Sequence, residues 1–391
     1  MTREPTIVDP KELARYVMVG GFLGAGKTTA LLRMARDFTG RGLRVGLIAN
    51  DQSVGLVDTA LFRRTGLPTE EIAGGCFCCR FDSLLAAADN LTRASRPDVF
   101  LAEPVGSCTD LVATVSYPLR RIYGDRFSIA PLSVLVDPHR AARILGLAEG
   151  RPFSAKVAYV YRKQLEEADL LVVNKCDAIT EEARDGLVAE LARVNPDAEI
   201  FCGSARSGQG FDAWFQRVLD AEPGAGRPLD IDYDAYAEGE AALGWLNATL
   251  RMTAGSELDG NDLLLDLARA LRSGIAGEIA HLKMTLDPGD VAGALGVVSL
   301  TRSDDEPEPR ETLVDEIRGG SLVVNLRAEE APEALEAHLR STLSEMARKG
   351  RDGLSLSIEH IESFRPARPE PIHRLASAMA SEGAEPRTER P

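Results

Sequence analysis

Short apolar runs alternate with amphipathic stretches along the first 220 residues of the chain. Each run is short enough for a buried strand, and each stretch between them repeats its apolar residues at helical spacing. The predicted strands are 14–20, 43–51, 98–104, 132–137, 169–174 and 198–202. The predicted helices are 28–38, 81–93, 111–119, 155–167, 180–194 and 211–219. Strands alternating with helices predict an α/β domain at 13–220 with a doubly wound, mostly parallel sheet.

The pattern changes after residue 220. Prolines and glycines at 221–237 predict a linker, and residues 238–364 then predict a smaller α+β domain with an antiparallel sheet and two helices on one face. Its predicted strands are 241–252, 279–286, 294–301, 321–326 and 354–361, and its predicted helices are 261–272 and 332–347. Residues 302–310 predict a loop. An N-terminal extension (1–12) and a disordered tail (365–391) complete the predicted organisation.

The amino-acid composition indicates which interaction partners and which cellular compartment to expect. The formal net charge of −15 disfavours nucleic acid and anionic membranes as partners. No apolar run approaches the roughly 20 residues of a membrane span, and the polar, acidic start is unlike a signal peptide. We therefore expect a soluble cytoplasmic protein. Three of the six cysteines fall within four residues, which favours metal binding or redox chemistry over disulfides.

Residues 21–29 carry the first chemical motif, Gly-Phe-Leu-Gly-Ala-Gly-Lys-Thr-Thr, which reads G-x-x-x-x-G-K-[ST]. It lies between a predicted strand and a predicted helix, as a P-loop must. Glycines let successive N–H groups face a polyphosphate, while the lysine meets the β and γ phosphates and the threonine hydroxyl ligates Mg²⁺. The predicted phosphate-binding residues are Gly21, Gly24, Ala25, Gly26, Lys27, Thr28 and Thr29.

A second motif predicts which base is bound. Residues 174–177 read Asn-Lys-Cys-Asp at a strand end. The Asp177 carboxylate can accept hydrogen bonds from N1–H and the 2-amino group of guanine, and adenine lacks both donors. Asn174 and Lys175 would brace the loop and cover the base, and Ser204 with Ala205 would supply a backbone contact to the guanine oxygen. The predicted nucleotides are GTP and GDP.

Acids at two further strand ends predict the catalytic centre. Asp51 and Glu103 would lie with Thr28 at one edge of the sheet, near the γ-phosphate. One hydroxyl and one carboxylate suit Mg²⁺, and the second acid would hold the attacking water. The catalytic candidates are thus Lys27, Asp51 and Glu103, and the predicted Mg²⁺ ligands are Thr28, Asp51 and Glu103.

Cys76, Cys78 and Cys79 follow two glycines that free the backbone to bring three thiols together. Three thiolates suit Zn²⁺ first, with Cu⁺ and Co²⁺ behind. One coordination position would be filled by water, a partner's ligand or another side chain such as Cys108. The alternatives are buried small side chains or a redox pair. Cys176 and Cys202 are more typical of core residues.

The P-loop, Gly-Gly-Cys-x-Cys-Cys and Asn-Lys-x-Asp, in this order, resemble the CobW family of GTPases, relatives of the urease and hydrogenase nickel-insertion GTPases. The resemblance implies Mg²⁺-dependent GTP hydrolysis coupled to metal handling, with Zn²⁺ or Co²⁺ at the three cysteines. It also implies a nucleotide-dependent homodimer. The chain departs from the family where Asp51 lacks a following Phe-Gly, and where Glu-Pro-Val-Gly-Ser-Cys (103–108) replaces E-x-S-G.

Three functions are consistent with these motifs. The first is GTP-dependent delivery of a transition metal to a client metalloprotein. The second is a G-protein chaperone of a cobalamin- or other cofactor-dependent enzyme, in which the metal is only structural. The third, a phosphotransferase acting on a small metabolite, is disfavoured by the guanine motif.

Overall fold

Two β-sheets, one parallel and one antiparallel, organise the chain in the computed structural model. The structure describes residues 13–50, 57–222, 228–289, 294–349 and 353–375, with backbone only at 58–60. Asp51, a predicted catalytic residue, lies outside the described residues. So do the N-terminal extension (1–12) and residues 376–391.

The first sheet is parallel, in the order β3-β2-β4-β1-β6-β7-β8, with β5 paired to the start of β1. Its strands are β1 (Ala14–Gly21), β2 (Val45–Asn50), β3 (Thr69–Ile72), β4 (Val99–Glu103), β5 (Phe127–Ile129), β6 (Ser133–Val136), β7 (Leu170–Val173) and β8 (Glu199–Cys202). The predicted α/β class is confirmed. β3 (Thr-Glu-Glu-Ile) and β5 (Phe-Ser-Ile) were missed because neither contains a run of apolar residues.

Helices flank this sheet. They are α1 (Lys27–Gly40), α2 (Val57–Arg63), α3 (Phe81–Ser95), α4 (Tyr117–Tyr123), α5 (Pro138–Ile144), α6 (Ala155–Glu167), α7 (Glu181–Val194) and α8 (Asp212–Asp220). A π-helical turn at Val112–Ser116 leads into α4. Leu31, Met34 and Phe38 of α1 are fully buried, so the apolar stripe of this helix fixes the P-loop against the sheet.

The second sheet is antiparallel, in the order β12-β11-β10-β13-β9-β14. Its domain contains α9 (Tyr233–Ala241), β9 (Gly244–Leu258), α10 (Gly260–Gly274), β10 (Ile279–Asp287), β11 (Gly296–Leu300), β12 (Glu308–Glu311), β13 (Ile317–Ala328), α11 (Pro332–Lys349) and β14 (Ser355–Phe364). Buried leucines of α10 and α11 join the sheet in one core. The predicted α+β class is confirmed. The predicted loop at 302–310 contains the start of β12, an exposed edge strand whose charges and proline hid it from the pattern.

Arg140 of α5 joins the two domains. Its guanidinium donates to the carbonyl oxygens of Ala280 (3.1 Å) and Thr301, and lies 4.8 Å from the centre of the Phe153 ring. The side chain is buried, and burial lowers its pKa, but the Asp137 carboxylate opposes that effect. A second close approach occurs at Gly24, where an added Cβ would lie 2.9 Å from Thr301 Cγ2. The second domain therefore packs directly on the P-loop.

Residues 366–375, called the strap below, run along the first domain. Ile372 N donates to Cys78 O (3.0 Å), Leu375 N donates to Ala113 O (2.9 Å), and Arg374 pairs with the buried Asp110 (2.7 Å). The sequence predicts a disordered tail from residue 365, because a proline-rich segment forms no helix or strand. Backbone hydrogen bonds to the first domain nevertheless give the strap a defined path.

No helix within the described ranges combines the length and apolarity needed to cross a bilayer.

We expect Arg140→Gln to lower the free energy of unfolding by about 2–4 kcal/mol, because buried carbonyls lose a charged donor. Arg143→Gln is the matched control, since its partner Asp304 is half-exposed, and we expect it to cost under about 1 kcal/mol. Urea denaturation followed by fluorescence reports both domains, through Trp214 in the first and Trp245 in the second. Equal losses for the two variants would contradict this account of the interface.

Candidate nucleotide and metal sites

The P-loop connects β1 to α1 through glycines with positive φ. Gly21, Gly24 and Gly26 have φ angles of +125°, +78° and +92°. An added Cβ at Gly21 would lie 2.4 Å from Leu135 O, and one at Gly26 would lie 2.5 Å from Asn174 Nδ2. Only glycine fits these positions. The turn ends at the N-terminus of α1, where backbone N–H groups and the helix dipole favour phosphate.

Lys27, Thr28 and Glu103 meet at the carboxyl edge of the parallel sheet. Thr28 Oγ1 donates to Glu103 Oε1 (3.2 Å), and Lys27 Nζ lies 3.9 Å from the same oxygen. All three residues are buried. A hydroxyl and a carboxylate oxygen side by side fit Mg²⁺, which takes few protein ligands. Because Asp51 lies outside the described residues, its part in this group stays a prediction.

Asn174 links the P-loop to the loop after β8. Its Nδ2 donates to Ala25 O (2.8 Å), and its Oδ1 accepts from Ala205 N (2.8 Å). Lys175 has a left-handed φ of +56°, and its Nζ donates to Gly24 O (2.9 Å). The first two residues of Asn-Lys-x-Asp therefore brace these loops, and Asp177 is exposed.

Asp137 is a site residue that the sequence reasoning missed. It follows β6, caps α5 through Arg140 N (2.9 Å), and accepts from Lys175 Nζ (2.6 Å). Burial alone would raise the pKa of Asp137, but the Lys175 and Arg140 charges hold it below its ordinary range. An acid at the end of a predicted strand was the available signal.

A cavity of about 560 Å³ lies over these groups, a size typical of small-molecule sites. Its first-domain wall contains the P-loop, Asp177, Ser204 and Ala205. The opposite wall is the sheet of the second domain, which adds polar and cationic side chains: His281, Lys283, Ser299, Arg310 and Arg327. No sequence pattern predicted this second wall, because it depends on how the domains pack.

The three cysteines form one cluster just before α3. The Cys76 sulfur lies 2.8 Å from that of Cys78 and 3.1 Å from that of Cys79, and the remaining pair is 3.7 Å apart. All are free thiols. Zn–S bonds of about 2.3 Å in a tetrahedron place sulfurs about 3.8 Å apart. The donor set therefore fits Zn²⁺ or another borderline ion with small adjustments.

The three thiols of the cluster differ in their pKa values. Hydrogen bonds with Cys108, Cys78 and Cys79 hold the pKa of Cys76 well below its ordinary value. The bond with Cys76 raises the pKa of Cys78 well above that value and the pKa of Cys79 to about 11. Cys76 is therefore the thiol of the cluster that loses its proton most readily.

Two contacts connect the cysteine cluster to its surroundings. Asn50, the last residue of β2, lines the nucleotide cavity and donates through Nδ2 to Gly75 O (2.7 Å) and Ile72 O (2.9 Å). On the other side, Glu370 N of the strap donates to Cys79 Sγ (3.3 Å). The cluster thus lies between the nucleotide cavity and the strap.

This geometry defines the first domain as a P-loop nucleotide-binding domain with an adjacent thiol cluster. Residues 15–202 match the family model described as "CobW/HypB/UreG, nucleotide-binding domain". The resemblance of this region to the CobW family is confirmed.

Relatives whose names state a function match part of the chain. The chain is 29% identical over 178 residues to the zinc chaperone YeiR of Escherichia coli, covering 45% of this chain and 50% of YeiR. It is 30% identical over 227 residues to the hydrogenase maturation factor HypB of Azotobacter vinelandii, covering 56% of this chain and 64% of that HypB. The crystal structure of HypB from Archaeoglobus fulgidus matches with 23% identity and a TM-score of 0.37, covering 52% of this chain and 87% of that structure. The chain thus spans half to two thirds of the curated relatives.

We expect Asp177→Asn to weaken GTP binding at least about 100-fold, because an N–H group of the new amide opposes the 2-amino donor of guanine. Xanthosine triphosphate, which presents an acceptor there, should bind the variant better than GTP. Titration with fluorescent nucleotides measures both. Asp185→Asn, at an exposed position on α7, is the control and should bind like the parent protein. Unchanged GTP affinity in Asp177→Asn would exclude guanine recognition by this carboxylate.

We also expect zinc affinity to rise with pH. An ion that binds Cys78 and Cys79 must displace at least two protons, so the apparent association constant should rise at least about 100-fold per pH unit between pH 6 and 8. Protons released per ion can be counted in weakly buffered solution, with the triple variant Cys76→Ala, Cys78→Ala, Cys79→Ala as control. Release of fewer than two protons per ion would contradict the assignment.

Proposed function

We propose that this protein is a GTP-hydrolysing metallochaperone. It binds GTP with Mg²⁺, hydrolyses it to GDP and phosphate, and uses the cycle to bind a transition metal and deliver it to a client metalloprotein. The observation that carries the proposal is the Asn50 side chain, which lines the nucleotide cavity and holds the carbonyl of Gly75 beside the thiols. A nucleotide-dependent change at the end of β2 would reach the cysteine cluster through this contact.

The hydrolysis roles follow from the edge of the sheet. Lys27 neutralises the β and γ phosphates, and Thr28 with Asp51 or Glu103 holds Mg²⁺. The acid that is not a ligand orients the attacking water. Mg²⁺ supplies charge neutralisation on the phosphate oxygens.

Base selection is assigned to the loops after β7 and β8. Asp177 pairs with the guanine edge, and Ser204 and Ala205 supply the backbone contact to its oxygen. The bracing contacts of Asn174 and Lys175 support this proposal, because they hold both loops on the P-loop.

Cys76, Cys78 and Cys79 are the proposed ligands of the cargo, Zn²⁺ or Co²⁺. The names of the relatives support a metal-delivery role: one is a zinc chaperone and another a hydrogenase maturation factor. The proposed partners are a client metalloprotein or cofactor-dependent enzyme and, in one nucleotide state, a second copy of the chain. With a net charge of −15, nucleic acid and membranes are not proposed as partners.

One observation favours the second candidate, a chaperone of a corrinoid-dependent enzyme with a structural metal. Cys76 and Cys78 are buried, and the strap contacts both Cys78 and Cys79. Closed, buried thiolate sites are typical of structural zinc.

Zinc affinity in the two nucleotide states separates the candidates. We expect a non-hydrolysable GTP analogue and GDP to give dissociation constants that differ at least about tenfold, a coupling of about 1.4 kcal/mol. Chelator competition in the presence of Mg²⁺ measures them. In Asp177→Asn, at the same nucleotide concentrations, the difference should vanish. Equal zinc affinities in the two nucleotide states of the parent protein would exclude the delivery cycle and favour the second candidate, in which the metal is structural.

A further inference from the structure

Cys108 is a fourth thiol at the cysteine cluster. It is 1% exposed and shares a buried core with Cys76 and Cys78. Its thiol interacts with that of Cys76, and its sulfur lies outside the group of three sulfurs that are within 4.8 Å of one another. A cysteine packed only as a small apolar side chain would face carbon atoms, whereas this one faces a thiol of the proposed metal site.

The backbone around Cys108 is held in place from several directions. Gln164 Nε2 donates to Gly106 O (3.0 Å) and Cys108 O (2.8 Å). Ser107 Oγ donates to the buried Glu240 (2.6 Å), and Tyr236 OH accepts from Thr109 N (3.2 Å). These contacts keep the thiol on the Cys76 side of the cluster, so it must move toward Cys78 and Cys79 to share an ion with them.

The segment that carries Cys108 begins at the nucleotide site. Residues 103–108, called the 103–108 loop, start with Glu103, which accepts from Thr28 Oγ1. A Cβ added at Gly106 would lie 3.0 Å from Lys27 Nζ, so the middle of the loop passes beside the phosphate-binding lysine. The last residue of the same loop is Cys108. One short segment therefore touches both sites.

We propose that Cys108 is the fourth ligand of the metal bound by Cys76, Cys78 and Cys79, and that the 103–108 loop makes it the ligand whose attachment depends on the nucleotide. The proposal rests on the metal site of the proposed function. With all four thiolates attached the ion is closed off, as in a tetrahedral Cys₄ site, and detaching Cys108 opens one position for transfer. Each thiol that binds gives its proton to solvent, and no electron is exchanged.

The test uses the full chain loaded with Co²⁺ in the presence of GDP and, separately, of a non-hydrolysable GTP analogue. In the nucleotide state with Cys108 attached, the sulfur-to-cobalt charge-transfer absorbance should correspond to four thiolates. Cys108→Ala and Cys108→Ser should lower it by about a quarter, to that of three. X-ray absorption of the zinc-loaded proteins counts the sulfur neighbours independently. Cys202→Ala, on β8, controls for the loss of any one thiol.

Affinity provides the second readout. Mutation of a residue that only hydrogen-bonds to a metal ligand typically weakens metal binding about 10- to 100-fold. Cys108→Ala removes a direct ligand, so it should weaken zinc binding by at least that much. Cys202→Ala should leave the zinc affinity unchanged. The serine variant keeps the size of the side chain, so it remains informative if the alanine variant folds poorly.

Three results would overturn the proposal. Three sulfurs in the parent protein in both nucleotide states, unaltered by substitution at Cys108, would exclude Cys108 while leaving the three-cysteine site intact. Four sulfurs that persist in both variants would assign the fourth ligand elsewhere. A parent protein that binds no metal would remove the proposed function together with this proposal.

Discussion

The hydrogen bond from Thr28 Oγ1 to Glu103 Oε1 is the interaction on which the rest of the account depends. Parallel pairing of β1 with β4 places the P-loop and Glu103 at one edge of the sheet. From that edge, the 103–108 loop extends to the cysteine cluster. The hydrogen bond therefore fixes the start of a segment whose far end lies beside Cys76. A change at Thr28 would reach the thiols through this hydrogen bond and the 103–108 loop.

The antiparallel domain adds a second constraint. Arg140 ties it to the first domain through buried carbonyls, and Thr301 packs against Gly24 of the P-loop. The nucleotide cavity consequently has one wall from each domain, and its cationic side chains Lys283, Arg310 and Arg327 come from the second. A nucleotide bound there would contact both domains, so the packing of the second domain depends on what the first one holds.

Sequence reasoning succeeded where the chemistry is encoded locally. The P-loop and the cysteine cluster each lie within a few residues, so spacing alone indicated that their groups lie together. It could not find contacts between distant segments. Asn50 holding Gly75, and the strap reaching Cys79, depend on tertiary packing. Asp137 is intermediate, because its position at a strand end was visible whereas its pairing with Lys175 was not. β3 and β12 were missed for a simpler reason: both consist mostly of polar residues, so neither forms an apolar run.

The proposed coupling between nucleotide and metal depends on one segment of the chain, the 103–108 loop. The most direct measurement is the absorption spectrum of the Co²⁺-loaded parent protein as nucleotide is exchanged with Mg²⁺ present. We expect that replacing GDP with a non-hydrolysable GTP analogue changes the sulfur-to-cobalt charge-transfer band, and that returning to GDP restores it. A spectrum identical in both nucleotide states would contradict the claim.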